Sequence, residues 1–161
     1  MFFCIIHEVG HIIVALLFKM KLQKIEVTPF GANASFYEKF SNNKSKEILV
    51  ALAGPLTSLV LVFLCTTQEA VYSNILIMLF NLIPIYPLDG GRILFGILYI
   101  LLGEEKSQNL INKISYTTVI ILTLISSIAV YYYKNIAIFI ICIFLWYLVL
   151  LFCSENSKIY E

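Results

Sequence analysis

The composition of this 161-residue chain excludes an ordinary water-soluble globular domain. Hydrophobic residues make up 60% of the sequence and charged residues only 13%, with a formal net charge of +1. Soluble domains are usually close to half apolar and a quarter charged, so this chain requires lipid around it. No basic stripe alternates with aromatic residues, which argues against a nucleic-acid partner.

Apolar stretches of about 17–25 residues, which rise about 1.5 Å per residue as helices, are typical of transmembrane segments. The candidate crossings are 2–18, 48–64, 70–102, 114–133 and 136–152. The first contains the polar cluster HEVGH, and the third is interrupted by prolines and glycines. A turn at Lys134 and Asn135 joins the last two. A signal peptide fits the N-terminus poorly, because no basic residues precede the apolar stretch.

The loop at 19–47 has a pattern of its own. KLQKIEVTPF and ANASFYEKF partly alternate apolar with polar residues and flank a Pro-Phe-Gly-Ala-Asn turn. This alternation predicts a short β-hairpin against the membrane face, and an irregular amphipathic loop is the alternative. The predicted fold class is therefore an all-α polytopic membrane protein with about five transmembrane segments, one broken helix and a short membrane-associated β-hairpin.

Lysines distinguish the two sides of the predicted bundle. The loops 19–47 and 103–113 and the C-terminal tail would share one side, and the opposite side has only Lys134. The positive-inside rule makes the lysine-rich side cytoplasmic, so we expect the C-terminus in the cytosol. The lysines on that side are Lys19, Lys21, Lys24, Lys39, Lys44, Lys46, Lys106, Lys113 and Lys158.

The sequence HEVGH at 7–11 predicts a metal site. On a helix, His7 and His11 stand at positions i and i+4 on one face, where two imidazoles can bind one Zn²⁺ at about 2.0–2.1 Å. Glu8 lies beside the metal and can take a proton from water. These are the only two histidines of the chain, and ionisable groups at membrane depth are costly and usually functional.

A catalytic zinc site typically uses three protein ligands, and Asp89 is the candidate for the third. It is the only aspartate of the chain, and it lies in NLIPIYPLDGGR, where we expect prolines and glycines to prevent a regular helix. Unwound backbone inside a bilayer is tolerated where it lines a cavity or is buried in protein. A simple Asp-Gly turn at an interface is the alternative.

With these motifs in place, the chain resembles the site-2 protease family of intramembrane zinc metalloproteases. The resemblance rests on HEVGH at 7–11, AGPLTS at 53–58 and NLIPIYPLDGG at 81–91, in that order along the chain. It implies that His7, His11 and Asp89 bind Zn²⁺ and that Glu8 activates water. It also implies a substrate-binding or site-orienting role for a further group of residues, Asn81, Pro84, Pro87 and Gly90.

Within this family the chain is most similar to the sporulation branch, that of stage IV sporulation protein FB. The strings TPFG at 28–31 and PLDGGR at 87–92 carry that similarity. It implies cleavage of a membrane-associated sigma-factor precursor, with regulatory membrane proteins as further partners. We expect one intramembrane metalloprotease domain over 1–161, truncated or minimal, without a CBS module or a PDZ insertion. Ser58 stands where the family's AGP motif often ends in Asn.

Two other classes of function remain open from the sequence. A metal transporter would use the His and Asp cluster as a translocation site, but no internal repeat is present and transport needs no base such as Glu8. A catalytically inactive relative that binds membrane proteins is the second. The expected localisation is the bacterial cell membrane, with multiple crossings, and the sequence does not indicate an oligomeric state.

Overall fold

The computed structural model describes residues 2–19, 22–28, 31–36, 44–133 and 136–157. Its elements in chain order are α1 (Phe2–Leu17), β1 (Leu22–Thr28), β2 (Gly31–Phe36), α2 (Lys44–Leu64), α3 (Gln68–Asn81), α4 (Asp89–Leu102), α5 (Glu104–Tyr133) and α6 (Ala137–Ser157). The predicted turn residues Pro29 and Phe30, and the turn predicted at Lys134 and Asn135, lie outside the described residues.

The chain divides into two compact units, Met1–Ile83 and Pro84–Glu161. In the first, α1 packs against α2, α2 against α3, and β2 lies near α1. Strands β1 and β2 pair antiparallel, with Thr28 opposite Gly31 and Leu22 opposite Phe36, and an irregularity falls between Leu22 and Lys24. The strand β2 already begins at Gly31, inside the segment from which the sequence predicts a turn.

In the second unit α4 packs against α5, and α5 packs against α6. The indole N–H of Trp146 on α6 donates to the hydroxyl oxygen of Thr123 on α5 at 3.1 Å. The same indole ring lies 6.2 Å from the ring of Tyr116. A polar pair of this kind between two apolar helices gives the contact a defined register, because the partners are costly to separate in an apolar environment.

The prediction of a loop at 103–113 is wrong. Helix α5 begins at Glu104, immediately after Gly103, whose positive φ of 80° ends α4. The first turn of α5 carries two glutamates, which favour a helix N-terminus. Buried residues then recur every fourth position, which gives the segment one helical face against its own unit: Ser107, Ile111, Ser115 and Val119.

Two helices in the described part of the chain are long and apolar enough to cross a membrane, α2 and residues Glu104–Tyr132 of α5. Shorter apolar stretches are Phe2–Leu17 and Phe139–Leu150. Large apolar side chains such as Ile13, Phe63 and Leu124 are exposed on the helix surfaces. Such a surface suits a lipid environment, because lipid chains solvate it as well as a protein core would.

Candidate metal centre

One buried stripe runs along α1 and carries the HEVGH residues. Its members are His7, Gly10, His11 and Ala15, and the opposite face of the helix exposes Ile5 and Ile13. The spacing of three and four residues is that of one helical face. His7 is 1% exposed and His11 is 6% exposed. The sequence prediction that both imidazoles share a face is therefore confirmed, and that face is turned towards the protein interior.

The two imidazoles converge at one point. The Nε2 atoms of His7 and His11 are 3.3 Å apart, and the ring planes are inclined by 77°. The opposite nitrogen of each ring is held by α2. Nδ1 of His11 donates to the carbonyl of Val50 at 2.7 Å, and Nδ1 of His7 is 2.8 Å from the hydroxyl oxygen of Ser58. Partners at Nδ1 are the usual means by which a protein orients metal-binding histidines.

The bond to Val50 determines the proton position on His11. A carbonyl oxygen only accepts, so Nδ1 of His11 must carry the proton. In a neutral ring the lone pair is then on Nε2, which faces His7. This is the tautomer that a metal requires of an Nε2 ligand, and the contact with α2 selects it.

Space in front of the two Nε2 atoms exists because residue 54 is a glycine. A Cβ at Gly54 would come closer than 3.0 Å to Nε2 and Cε1 of His11 and to Nε2 of His7. Val50, Gly54 and Ser58 follow one another at intervals of four, so one face of α2 supplies both imidazole partners and the space between them. Two imidazoles whose Nε2 atoms converge on such a space are a donor set that Zn²⁺ accepts.

Helices α1 and α2 also approach closely beside this space. A Cβ at Gly10 would collide with the side chain of Thr57, whose hydroxyl donates to the carbonyl of Ala53 at 2.8 Å. Small residues at such positions let two helix backbones approach closely, and they are enriched where helices pack in membranes. This approach brings the carbonyl of Val50 and the hydroxyl of Ser58 within reach of the two rings.

Glu8 follows His7 on α1 and is partly buried. One residue of offset rotates a helical side chain by about 100°, so Glu8 lies to the side of the stripe that holds the imidazoles. Glu8 therefore does not belong to the face that holds the two imidazoles. This is the placement expected of a base that acts on a group held at the imidazoles.

Asp89 belongs to the second unit, where it is the first residue of α4 and is buried. The expectation that Gly90 and Gly91 prevent a regular helix at this point is wrong, since both lie in the first turn of α4. Gly91 has a packing role there, because a Cβ would collide with the backbone of Ile85 and Tyr86. Whether Asp89 is a ligand stays a prediction.

The break that the prolines predict lies just before Asp89, between α3 and α4. Pro84 and Pro87 have no N–H to donate, and the residue before a proline disfavours helical geometry. The peptide bond between Tyr86 and Pro87 is cis. The amide of Tyr86 donates to the hydroxyl of Ser115 on α5 at 3.1 Å, which attaches the segment to its own unit. Both prolines are partly buried.

Asn81 is the last residue of α3, and its amide nitrogen donates to the carbonyl of Ile77 at 3.0 Å. That bond stays within α3. The predicted role of Asn81 in substrate binding or site orientation therefore remains a prediction, and so does the same role of Pro84, Pro87 and Gly90.

Sequence reasoning did not find the roles of Val50 and Ser58. Val50 acts through its backbone carbonyl, which leaves no trace in residue type. In the sequence Ser58 stands out only as a departure from the family's usual asparagine. The available signal was its interval of four from Gly54, which places a hydroxyl and a glycine on one face of α2.

A model of Peptidase family M50 matches residues 1–70 and 66–125 of this chain. The chain belongs to peptidase family M50. The matched ranges contain the paired imidazoles of α1, the small-residue face of α2 and the segment that leads to Asp89. The resemblance to the site-2 proteases, which form this family, is thereby confirmed.

Similar proteins include two curated relatives and a solved structure. Stage IV sporulation protein FB of Bacillus subtilis is 31% identical over 69% of this chain and 43% of its own length. A zinc metalloprotease of Methanocaldococcus jannaschii is 30% identical over 89% of this chain and 44% of its own length. The solved structure of the site-2 protease from Methanocaldococcus jannaschii matches with a TM-score of 0.69 and 26% identity, over 89% of this chain and 70% of that one.

The chain spans less than half the length of these two curated relatives. Family membership nevertheless assigns Zn²⁺ as the cofactor, and the donor chemistry of α1 fits it. The multi-helix architecture and the apolar helix surfaces agree with an integral membrane protein, which is what the family consists of.

Proposed function

We propose that this chain is an intramembrane zinc metalloprotease that hydrolyses a peptide bond in a membrane-associated protein. The observation that carries the proposal is the buried pair of imidazoles, whose Nε2 atoms are 3.3 Å apart while α2 holds both Nδ1 atoms. A carboxylate one residue from the first imidazole supplies the base. Membership in Peptidase family M50 supports the same conclusion.

In this proposal His7, His11 and Asp89 are the zinc ligands and Glu8 is the catalytic base. When bound, zinc acts as a Lewis acid that polarises the scissile carbonyl and makes water more acidic. Glu8 takes the proton of the attacking water and later passes it to the leaving amine. The burial of the α1 stripe shields the two imidazoles from bulk solvent.

The third ligand gives a direct prediction. Asp89→Ala should weaken zinc binding by more than about 100-fold. Loss of a residue that only supports a metal ligand costs up to about 100-fold in affinity, and loss of a ligand itself should cost more. Zinc titration against a chelating dye measures the change. Glu104→Gln is the matched control, because it removes an exposed carboxylate from the first residue of the neighbouring helix α5. Full zinc affinity in Asp89→Ala would refute the assignment.

We propose further that the chain crosses the membrane about five times, with a cytosolic C-terminus. Lys44 and Lys46, at the start of α2, belong to the predicted cytoplasmic end of the first unit. The ammonium of Lys46, near the start of α2, lies 5.9 Å from the ring of Phe18, just after α1. The end of α1 and the start of α2 therefore lie close together. In the proposed topology both face the cytoplasm, the side that the positive-inside rule assigns to lysines.

Labelling of the two ends of α5 tests this topology. Glu104 and Tyr132 are both exposed and lie at opposite ends of the helix. In a background with the four native cysteines replaced, a membrane-impermeant thiol reagent applied to intact cells should label Tyr132→Cys. It should label Glu104→Cys only after the cells are opened. Labelling of Glu104→Cys in intact cells, without labelling of Tyr132→Cys, would contradict the proposed orientation.

Substrate recognition would use the β1–β2 hairpin. Its two strands pair with each other, and a two-stranded sheet leaves an outer edge on each strand. We propose that the hairpin lies at the cytoplasmic membrane face and that an extended substrate segment adds to it as a further strand. His11 precedes Lys19 by eight residues, so the metal would lie roughly 12 Å below the cytoplasmic edge.

As the substrate we propose a sigma-factor precursor made during sporulation. The support is the 31% identity to stage IV sporulation protein FB and the strings TPFG and PLDGGR. Co-expression of the chain with the sigma precursor of its host tests the proposal. We expect a shortened sigma product that disappears in Glu8→Gln. Unchanged precursor beside a zinc-loaded chain that cleaves another membrane protein would reject this substrate and retain the protease.

The two other classes predict different results in the same assay. A metal transporter would carry zinc across a vesicle membrane without cleaving protein. A catalytically inactive relative would bind its partner and show no dependence on Glu8. The paired imidazoles favour the protease over the transporter, because a hydrolase needs a metal held firmly by oriented ligands and a transport site must also release it. The dependence of cleavage on Glu8 distinguishes the protease from the inactive relative.

A further inference from the structure

The segment that precedes Asp89 is held from two sides within the second unit. On the side of α4, a Cβ added at Gly91 would collide with the backbone of Ile85 and Tyr86, so the segment lies directly against the first turn of that helix. On the side of α5, the backbone N–H of Tyr86 donates to the hydroxyl oxygen of Ser115 at 3.1 Å. Ile85 itself is fully buried. The segment is therefore packed against one helix and bonded to the next.

Two backbone hydrogen bonds connect this attachment to Asp89. The N–H of Leu88 donates to the carbonyl of Ile85 at 2.8 Å, and the N–H of Arg92 donates to the carbonyl of Leu88 at 2.9 Å. Asp89 is the first residue of α4 and follows Leu88 directly. The place of its backbone relative to α5 therefore depends on where Ile85 and Tyr86 are held.

Ser115 is the residue of α5 that holds them. It is 3% exposed and lies on the buried face of α5 together with Ile111 and Val119. An alanine at this position would fill nearly the same space but would offer no acceptor to the N–H of Tyr86. A backbone N–H that loses its acceptor in apolar surroundings is costly, so the segment would have to shift to find another.

We propose that Ser115 is a positioning residue that holds the backbone before Asp89 and thereby places the Asp89 carboxylate for metal binding. The inference rests on the proposed function, in which Asp89 is a zinc ligand. A ligand that is already held in place loses less conformational freedom when the metal binds, so its contribution to affinity is larger. Ser115 acts on the metal only through this backbone.

Removal of the hydroxyl should weaken zinc binding without unfolding the chain. We expect Ser115→Ala to raise the zinc dissociation constant by about 10-fold, the lower end of the effect of removing a group that supports a metal ligand. Alanine also favours a helix more than serine does, so α5 should persist. Ser126→Ala is the matched control, because Ser126 is a buried serine of α5 that bonds the carbonyl of Thr123 in its own helix. Its zinc affinity should equal that of the wild type.

A second control separates positioning from general stability. Val119→Ala removes buried methyl groups one helical turn beyond Ser115, so it should lower the thermal unfolding temperature. It leaves the hydroxyl of Ser115 in place, and we expect the folded fraction to bind zinc as the wild type does. Equal loss of zinc affinity in Val119→Ala and Ser115→Ala would mean that loosening of α5 is responsible, and it would overturn the proposed role.

A double-mutant cycle shows whether Ser115 acts through Asp89. In the Asp89→Ala background no carboxylate remains to be placed, so adding Ser115→Ala should change zinc affinity by less than about 2-fold, within the usual error of additivity. In the wild-type background the same substitution should have its full effect. An equal loss in both backgrounds would show that Ser115 acts by another route.

Hydrogen exchange tests the bond itself. Prolines have no amide hydrogen, so the stretch from Pro84 to Leu88 contains only three, those of Ile85, Tyr86 and Leu88. In the wild type in detergent, we expect slow exchange in peptides that cover this stretch, and Ser115→Ala should accelerate it at least about 10-fold. The measurement on the wild type does not depend on the folding of any variant. Rapid exchange of all three amides there would overturn the inference.

The zinc measurements also separate this inference from the proposed function, and none of them depends on cleavage of a protein. If Asp89→Ala loses zinc affinity while Ser115→Ala retains it, the inference fails and the zinc site stands. If Asp89→Ala retains full affinity, the ligand assignment in the proposed function fails, and the role of Ser115 fails with it.

Discussion

Glu8→Gln should abolish cleavage while leaving zinc bound. Loss of a general base typically costs about 10²–10⁴-fold in rate, and here the same residue also returns the proton to the leaving amine. The substitution keeps size and hydrogen-bonding capacity but removes the charge and the basicity. We expect turnover to fall at least about 1,000-fold in the co-expression assay, with one zinc per chain retained.

The paired measurement distinguishes a base from a ligand. His7→Ala should lose zinc and activity together, because it removes one of the two converging nitrogens. Glu104→Gln serves as the charge-matched control and should retain both. If Glu8→Gln retained wild-type turnover, Glu8 would not be the base. If it lost zinc as completely as His7→Ala, it would have to be counted among the groups that hold the metal.

Gly54→Ala should prevent zinc binding by occupying the space between the imidazoles. The added methyl group would collide with Nε2 of both His7 and His11, the two atoms whose lone pairs a metal needs. On intrinsic propensity alone, alanine in place of glycine favours a helix by roughly 0.5–1 kcal/mol. The helix itself therefore has no reason to unfold, and the loss should appear in metal content. We expect no measurable zinc in the purified variant.

Gly10→Ala is the matched control for this substitution. It adds the same methyl group to the same α1–α2 contact, but the collision there is with the side chain of Thr57 and the carbonyl of Ala53. We expect Gly10→Ala to lower thermal stability and to retain zinc in the fraction that folds. Equal zinc loss in both variants would mean that general loosening of the helix pair is responsible. Zinc retained in Gly54→Ala would show that the metal does not occupy the space between Gly54 and the two imidazoles.

The ends of the elements illustrate what local pattern can predict. The spacing of His7 and His11 and the two prolines before Asp89 correctly indicate a helix and a break, since both depend on neighbours in the chain. The start of α5 at Glu104 contradicts the predicted loop at 103–113, because the charged residues of this segment interrupt its apolar pattern without ending the helix. The segment is a helix whose buried face includes Ser107 and Ile111, and this burial depends on tertiary packing.

The sequence by itself determined the lipid environment, the two imidazoles on one helical face, the neighbouring carboxylate of Glu8 and the break before Asp89. Each follows from composition or from short spacings, which local backbone geometry converts into position. Only the tertiary structure decided what holds the imidazoles. The backbone carbonyl of Val50 is 39 residues from His11 along the chain, and the hydroxyl of Ser58 is 51 residues from His7. The absent side chain of Gly54 leaves space in front of both rings. No local pattern encodes such contacts, because they arise from the packing of α1 against α2.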